Sequence, residues 1–353
     1  MQIPCLHLGI MPHKNINAVV DIVVKHFSKY PFWAQMPNYS SSEGHFQQFV
    51  SGIPGVKTDV LKKKCYLDTK SYLYQTRSKE ILKDYEDLSL TTLSSYRPNS
   101  VFFDYFLRIL DEQKPEYAKG QIIGPLSIGL LLADESGFPV IDNRKAMDII
   151  IKSVSLQIIS QICEMKSVCP SITPYIFVEE PEINKAYSEE NACRTKKRII
   201  SILKGLAKVI KDNGAIPVFH SNACIDWTVP ISAGFEVLSF NAETQFVTLL
   251  NQNIKMDKFL MSGGRIAWGV LPLNPEEIKQ ADLLSIFNRY MEFVVRFKNF
   301  YKLHKSMVLN HSIVTIGMNS EDFTDIISEK SIVLGNALAE RISQEAAASE
   351  CEE

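Results

Sequence analysis

Short apolar runs alternate with longer segments of helical periodicity along most of the chain, and this alternation is the strongest constraint on its fold. Strands that alternate with helices pair in parallel through right-handed crossovers, so the pattern predicts an α/β protein. The predicted strands are 5–10, 121–123, 175–178, 216–219, 237–240, 266–270 and 307–309. The predicted helices are 19–27, 146–162, 196–212, 245–250 and 283–300.

Two architectures accommodate this pattern, a closed (β/α)8 barrel and an open doubly wound sheet. The dinucleotide fingerprint GxGxxG and the phosphate loop GxxxxGK[ST] are both absent from the sequence, which weakens the open, nucleotide-binding version. We therefore predict a single (β/α)8 TIM barrel, residues 1–353, with no nucleotide cofactor.

Two regions depart from the barrel pattern. Residues from about 32 to 115 are expected to be an elaboration between early barrel strands. Within it, 52–67 predicts a turn and a strand pair, and 77–88 and 101–113 predict helices. Residues from about 333 to 353 are expected to form a C-terminal helix with an acidic tail.

Charge and cysteine content exclude several classes of protein. Lys and Arg number 38 against 40 Asp and Glu, so the chain lacks the basic excess that neutralises nucleic-acid phosphates. Its seven cysteines are scattered without a CxxC pair, which argues against a secreted disulfide framework. It shows neither a signal-peptide pattern nor an apolar run of about 18 residues. We expect a cytoplasmic protein with no nucleic-acid partner and no membrane.

Potential acids, bases and ligands follow six of the predicted strands. In a barrel, chemistry takes place where strands end and the following loops begin. Each of these residues also fits an ordinary role in a polar loop. They are His13, Ser127, the Glu179-Glu180 pair, His220, Asn241 and His311.

The segment 216–227 is the richest in such residues. His220 follows an apolar strand, Cys224 comes shortly after it, and Asp226-Trp227 lie beyond. An imidazole and a thiolate at this spacing can share a zinc ion or act as base and nucleophile. A buried cysteine near a hydrogen-bonded histidine fits equally, because two ligands do not make a zinc site.

Glu179, Glu180 and Trp33 each allow two interpretations. Adjacent carboxylates on a strand point to opposite sides, so at most one of Glu179 and Glu180 faces the barrel axis. Such a carboxylate can bind an ammonium group or act as general base, and it also suits the N-terminus of the following helix. Trp33 can line a ligand pocket or belong to the core.

Seven collinear motifs, spanning roughly residues 5–330, resemble those of one enzyme family. They are LGIMPHKN (8–15), PFWAQMP (31–37), FVSGIPG (49–55), IIGPLSIG (122–129), FVEEPEI (177–183), FHSNACIDW with EVLSFNA (219–227 and 236–242) and GGRIAWGVLP (263–272). The family is that of the cobalamin-independent methionine synthase barrel and its single-domain relatives, in the superfamily that includes uroporphyrinogen decarboxylase. The resemblance implies one (β/α)8 barrel.

The resemblance also implies a zinc-dependent methyltransferase. Its zinc is held by a His, a Cys two residues later, an acidic residue at the end of the next strand and a Cys near the last strand, and it lowers the pKa of the substrate thiol. His220 matches the first ligand, Asn222 and Asn241 occupy the next two positions, and no cysteine lies between 301 and 331. Cys224 is the substitute ligand closest in sequence.

We therefore predict a methionine synthase-like methyltransferase with a degenerate zinc site, acting on a thiol or related acceptor. The resemblance implies His220 and Glu180 as catalytic residues and His220 and Cys224 as metal ligands, with a corrinoid or another methyl donor as partner. The small-molecule substrate is expected to contact His13, Trp33, Ser127, Glu179, Asp226, Trp227, Asn241 and Trp268. The alternatives are a non-catalytic or metal-free ligand-binding barrel and a uroporphyrinogen decarboxylase-like enzyme, for which Arg265 is the one arginine placed near a predicted strand.

Overall fold

A computed structural model of the chain describes residues 2–59, 64–188, 191, 193–317 and 323–352. The strands are β1 (Cys5–His7), β2 (Val56–Asp59), β3 (Lys64–Leu67), β4 (Tyr117–Ile123), β5 (Ala133–Asp134), β6 (Thr173–Glu179), β7 (Ile216–His220), β8 (Val237–Asn241), β9 (Arg265–Gly269) and β10 (Ser312–Ile316). The helices are α1 (Ile16–His26), α2 (Gln47–Val50), α3 (Tyr72–Asp87), α4 (Leu90–Ser94), α5 (Val101–Gln113), α6 (Pro125–Leu131), α7 (Arg144–Val168), α8 (Lys196–Asp212), α9 (Thr228–Ala233), α10 (Ala242–Leu250), α11 (Met256–Met261), α12 (Pro275–Gln280), α13 (Leu283–Tyr301), α14 (Lys305–Asn310) and α15 (Asp325–Glu352).

Seven strands form one parallel, barrel-like sheet in the order β1-β10-β9-β8-β7-β6-β4, surrounded by helices. Within this sheet, each strand from β6 to β10 lies beside the sheet strand that precedes it along the chain, as helical crossovers between neighbouring parallel strands produce. The first and last strands also pair, with Cys5 opposite Val314. The predicted α/β class is confirmed, and the sheet is nearly closed with one regular strand fewer than eight.

The segment 31–35 occupies the gap between the edge strands β1 and β4. On one side, the backbone N–H of Gln35 donates to the carbonyl oxygen of Gly9 (2.8 Å). On the other side, the N–H of Trp33 donates to the carbonyl oxygen of Lys119 (3.2 Å). Both isolated bridges that this segment makes are parallel. The predicted elaboration therefore begins with residues that lie in the barrel wall.

Apolar side chains pack on both faces of the barrel sheet. The interior of the barrel is filled by Leu6, Tyr175, Phe177, Val218, Val237, Ala267 and Ile313. A much larger cluster fills the space between the strands and the surrounding helices. Because both faces are covered, the barrel strands read as continuous apolar runs in the sequence.

The sequence misassigned the region before the last strand. The prediction of a strand at 307–309 is wrong, since these residues lie in α14, and the strand is Ser312–Ile316. Periodicity cannot distinguish a buried strand from one buried helical turn in so short an apolar run. Val308 and Leu309 are buried from a helical turn, whereas the following segment is rich in β-branched residues that favour a strand.

The elaboration has its own small sheet. Val56 pairs with Leu67 in an antiparallel β2–β3 ladder, to which β5 adds in parallel. The predicted strand pair in 52–67 and the predicted helix at 101–113 are confirmed. The helix predicted at 77–88 begins earlier, at Tyr72, where Ser71 accepts a hydrogen bond from the N–H of Tyr74 as N-cap.

Within the described residues, α7 is the one helix long and apolar enough to span a membrane by length and composition. Of its most apolar window, 78% is buried inside the protein. Such burial is typical of a core helix in a soluble protein, as the sequence predicts. The cytoplasmic location stays a prediction.

Candidate functional site

A cavity of about 380 Å³ opens at the carboxyl ends of the barrel strands. Five strands (β6 to β10), the segment after β1 and the elaboration contribute to its wall, and barrel enzymes place their chemistry at this end. Its apolar wall includes Leu8, Ile10, Phe240, Leu271 and Leu273. Its polar wall includes His45, Glu179, His220, Ser221, Asn222, Asn241 and Thr315.

Glu179, the last residue of β6, is the carboxylate of this wall. Its Oε2 lies 3.2 Å from Nε2 of His45, and its Oε1 lies 3.9 Å from Nζ of Lys119. Oε1 is buried and accepts no hydrogen bond from the described residues. A buried acceptor without a donor costs about 1–3 kcal/mol, and the nearby ammonium group of Lys119 offsets part of that cost electrostatically.

Lys119 is a fully buried cation beneath the cavity. Its Nζ donates to the carbonyl oxygen of Leu8 and to Oε1 of Gln121, and lies 5.0 Å from the centre of the Phe177 ring. Burial lowers the pKa of Lys119 to about 8, against the opposing attraction of Glu179. The ammonium form therefore predominates at neutral pH and balances the charge of Glu179.

His45 enters the cavity from the elaboration and ends a chain of side-chain hydrogen bonds. Its Nδ1 lies 3.0 Å from Oε1 of Gln35. Nε2 of Gln35 donates to Oε1 of Gln48 (2.9 Å), and Nε2 of Gln48 donates to Oε2 of Glu43 (2.6 Å). Gln35, Gln48 and Glu43 are all buried. The chain thus connects a buried carboxylate to the cavity wall.

His220 ends β7 and lines the cavity. Its Nδ1 lies 2.9 Å from Oγ of Ser239, which leaves Nε2 as its other polar atom. Burial lowers the pKa of His220 to about 4, although the charge of Glu179 opposes this shift. The imidazole is therefore neutral near pH 7 and can accept or donate one proton at the cavity.

We expect His220 to destabilise the folded protein in acid. Between its usual pKa of 6.5 and its folded value of about 4, the unfolded chain binds a proton that the folded state does not. Stability is therefore lost as pH falls through this window, by about 3 kcal/mol when complete. His220→Gln should remove this loss, so that urea unfolding at pH 7 and pH 4.5 shows a smaller fall than in wild type. Equal falls in both proteins would contradict the shift.

Glu180 points away from the cavity. It is fully buried and accepts hydrogen bonds from the backbone N–H groups of Leu126 (3.1 Å) and Ser127 (2.6 Å), in the first turn of α6. Burial raises the pKa of Glu180 to about 7, while the hydrogen bonds from Ser127 and Leu126 oppose the rise. The two adjacent carboxylates diverge as strand alternation requires, and Glu179 is the one that faces the cavity. The catalytic role expected for Glu180 does not fit this position.

The three tryptophans assigned to the substrate pocket are fully buried core residues. Nε1 of Trp33 donates to Oγ of Ser100 (3.0 Å), and Nε1 of Trp268 donates to Oγ of Ser312 (3.0 Å). Trp227 packs against aromatic side chains of β7 and β8. All three lie outside the cavity lining that the structure describes.

Three polar residues assigned to the pocket also lie outside its described lining. Oγ of Ser127 accepts the N–H of Glu182 (3.1 Å), which fixes the loop after β6. Oδ1 of Asp226 accepts the N–H of Thr228 (2.9 Å), the first residue of α9. His13 is buried, with Nε2 3.8 Å from Oε1 of Glu329. Of the predicted contacts, Glu179, His220 and Asn241 come together at the cavity.

The residues at the expected zinc positions do not fit a zinc ion. Oδ1 of Asn222 accepts the N–H of Asn241 (2.9 Å), and Oδ1 of Asn241 accepts the N–H of Thr244 (3.1 Å), so both amide oxygens are engaged. Cys224 is exposed, with Sγ 3.7 Å from Oγ1 of Thr248. In the described part of the chain no three His, Cys, Asp or Glu side chains are placed to share a metal. Neutral amides are in any case poor zinc ligands.

Sequence reasoning missed His45 and Lys119. His45 lies far from any strand end, and no pattern in its surroundings indicates the cavity. The sequence could have indicated Lys119, since burying a lysine inside a strand costs free energy unless its charge is paired. The predicted strand began only at 121, however, and left Lys119 outside it.

The resemblance to methionine synthases rests on the sequence motifs alone. No protein-family model matches this chain, and no curated protein matches its sequence. The arrangement of the cavity therefore carries the functional argument.

Proposed function

We propose that this chain is a methionine synthase-like (β/α)8 barrel that binds a small polar molecule in its cavity and acts on it by proton transfer without zinc. In this proposal the segment 31–35 takes the place of the eighth strand. Its parallel hydrogen bonds to both edges support that assignment, because strand positions then follow chain order around the whole barrel.

The carboxylate-bearing side chain of Glu179 at the cavity wall is the observation that carries the proposal. This side chain is 9% exposed at a cavity large enough for a small metabolite, and a carboxylate accepts hydrogen bonds from N–H and O–H groups. Lys119 and His45 lie on either side of the carboxylate. A carboxylate so placed can bind a donor group of the ligand or remove its proton.

Zinc activation of a thiol, as in the resembling methyltransferases, lacks support from the donor set around His220. The reaction that these residues favour is acid–base chemistry, and the thiol acceptor, the methyl donor and the corrinoid partner stay predictions.

The decarboxylase alternative needs cations at the cavity for substrate carboxylates. Arg265 is the first residue of β9, and its Nη1 lies 3.4 Å from the hydroxyl of Tyr175. It is therefore at the amino end of the strand, whereas the cavity opens at the carboxyl ends.

A thermal-shift screen with small thiols, amino acids and other polar metabolites tests the proposal. We expect at least one compound to stabilise the protein, by about 2.7 kcal/mol at a concentration of 100 times its Kd. Glu179→Gln should weaken that binding at least about tenfold, the equivalent of about 1.4 kcal/mol. Glu182→Gln, in the same loop but outside the described cavity lining, should leave it unchanged.

Two results would contradict the proposal. One is that none of these compounds stabilises the protein. The other is stoichiometric zinc in the purified protein that disappears in both His220→Ala and Cys224→Ala, which would restore the zinc-dependent prediction.

A further inference from the structure

We infer that the buried carboxylate of Glu43 determines whether Nδ1 of His45 carries a proton. Glu43 acts through the side-chain amides of Gln48 and Gln35, and is a positioning residue for the pair formed by His45 and Glu179. The catalytic meaning of this role rests on the proposed function, whereas the direction of the hydrogen bonds does not.

The hydrogen-bond direction is set at Glu43. Its Oε1 accepts the backbone N–H of Val101 (2.6 Å), and its Oε2 accepts the hydroxyl of Ser100 (2.8 Å) and Nε2 of Gln48 (2.6 Å). A carboxylate only accepts, so the amide of Gln48 must turn its NH2 group toward Glu43. This places the amide oxygen of Gln48 on the opposite side.

Gln35 transmits this direction to the imidazole of His45. Because the oxygen of Gln48 faces Gln35, the NH2 group of Gln35 must donate to it, and the oxygen of Gln35 must face Nδ1 of His45. An amide oxygen has no proton to give, so Nδ1 must hold one. Gln35 and Gln48 are 0% and 3% exposed, and burial leaves water little opportunity to replace these contacts.

With Nδ1 protonated, the contact between His45 and Glu179 must hold a second proton. A neutral imidazole would turn the lone pair of Nε2 toward Oε2 of Glu179 at 3.2 Å, which is repulsive. One proton therefore lies between these two atoms, on either the ring or the carboxyl group. Lys119 and His220 are the other titratable groups that face this pair. A ligand at Glu179 thus meets a hydrogen bond with one transferable proton.

Glu43→Gln is expected to reverse the whole chain. The N–H of Val101 retains an oxygen at the Oε1 position, so the new NH2 group faces Gln48. Gln48 and Gln35 then turn over, and Nδ1 of His45 meets an NH2 donor instead of an oxygen. Nδ1 must now accept and loses its proton, so the ring keeps only the proton that lies between Nε2 and Oε2 of Glu179.

The double variant Glu43→Gln/Gln48→Glu is the matched control. The new carboxylate at position 48 accepts from both neighbouring amides, so Gln35 keeps its original orientation. The double variant therefore conserves the charge of the chain of hydrogen bonds and restores a proton on Nδ1 of His45. A purely structural role of Glu43 would not predict this rescue.

NMR of the full-length, ligand-free protein with ¹⁵N-labelled histidine tests the inference. The signals of His45 are assigned by their loss in His45→Asn. We expect Nδ1 to be protonated in wild type, unprotonated in Glu43→Gln and protonated again in the double variant. An unprotonated Nδ1 in wild type, or an unchanged spectrum in folded Glu43→Gln, would overturn the inference. If Glu43→Gln does not fold, Gln48→Leu interrupts the same chain, and an unchanged Nδ1 would then have the same meaning.

Ligand affinity separates this inference from the proposed function. The spectra are recorded without ligand, so failure of the ligand screen leaves the proton assignment intact. With any compound that the screen identifies, affinity should fall in Glu43→Gln and recover in the double variant. A change in the protonation of Nδ1 with no change in affinity would overturn the positioning role alone.

Discussion

Gly124→Ala is expected to destabilise the protein by about 3 kcal/mol or more. A Cβ at position 124 would lie 2.7 Å from Cγ of Glu180 and would overlap Cδ and Oε1 of the same side chain. To relieve this overlap, the buried carboxylate must move and lose the hydrogen bonds that it accepts from the backbone N–H groups of Leu126 and Ser127. Urea denaturation should show a lower midpoint with an unchanged slope.

Gly205→Ala is the matched control for this prediction. Gly205 lies within α8, and a Cβ there meets no atom within 4 Å. Alanine should therefore stabilise the helix by about 0.5–1 kcal/mol through its higher helix propensity. If Gly124→Ala were as stable as wild type, the side chain of Glu180 could not be packed against Gly124 as described.

Lys119→Met is expected to destabilise the protein by about 3 kcal/mol at pH 7. The substitution removes the buried cation that balances Glu179 and leaves the carbonyl oxygen of Leu8 without its donor. Adding Glu179→Gln should recover part of the loss, because no uncompensated carboxylate then remains. A double-mutant cycle of unfolding free energies measures this recovery, and strictly additive losses would contradict the coupling.

The pH dependence of Lys119→Met provides a second measurement. The pKa of Lys119 is about 8 in the folded protein and 10.5 ordinarily, so between these values the unfolded chain binds the extra proton. Wild-type stability should therefore gain a favourable contribution as pH rises from 8 toward 10.5. Lys119→Met lacks this contribution, and the difference between the two proteins should widen across the window.

The sequence predicts a helix best where an apolar face of helical period lies between a recognisable N-cap and a recognisable stop. The helix predicted at 196–212 has these bounds, because Thr195 caps its start and Asn213-Gly214 stops it. The strand predicted at 307–309 is wrong because a three-residue apolar run is too short to show either a strand or a helix period. The sequence assigns residues from about 32 onward to the elaboration, because the position of 31–35 in the barrel wall depends on backbone contacts with distant strands.

The candidate site was predictable only where it follows from strand geometry. Glu179, His220 and Asn241 end barrel strands, and the carboxyl-end rule brings them to one cavity. Strand alternation predicts that Glu179 and Glu180 diverge but does not say which one faces inward. His45 arrives through the long-range packing of the elaboration, which no local pattern encodes.

The pairing of Cys5 with Val314 joins the first barrel strand to the last and has a consequence for biosynthesis. A nascent chain must keep the β10-facing edge of β1 unpaired until residues 312–316 have left the ribosome. α15, which packs against β10 and β1, emerges later still. Barrel closure therefore comes after every other barrel strand has been synthesised, and the exposed strand edge before closure is a point at which chaperones can protect this chain from aggregation.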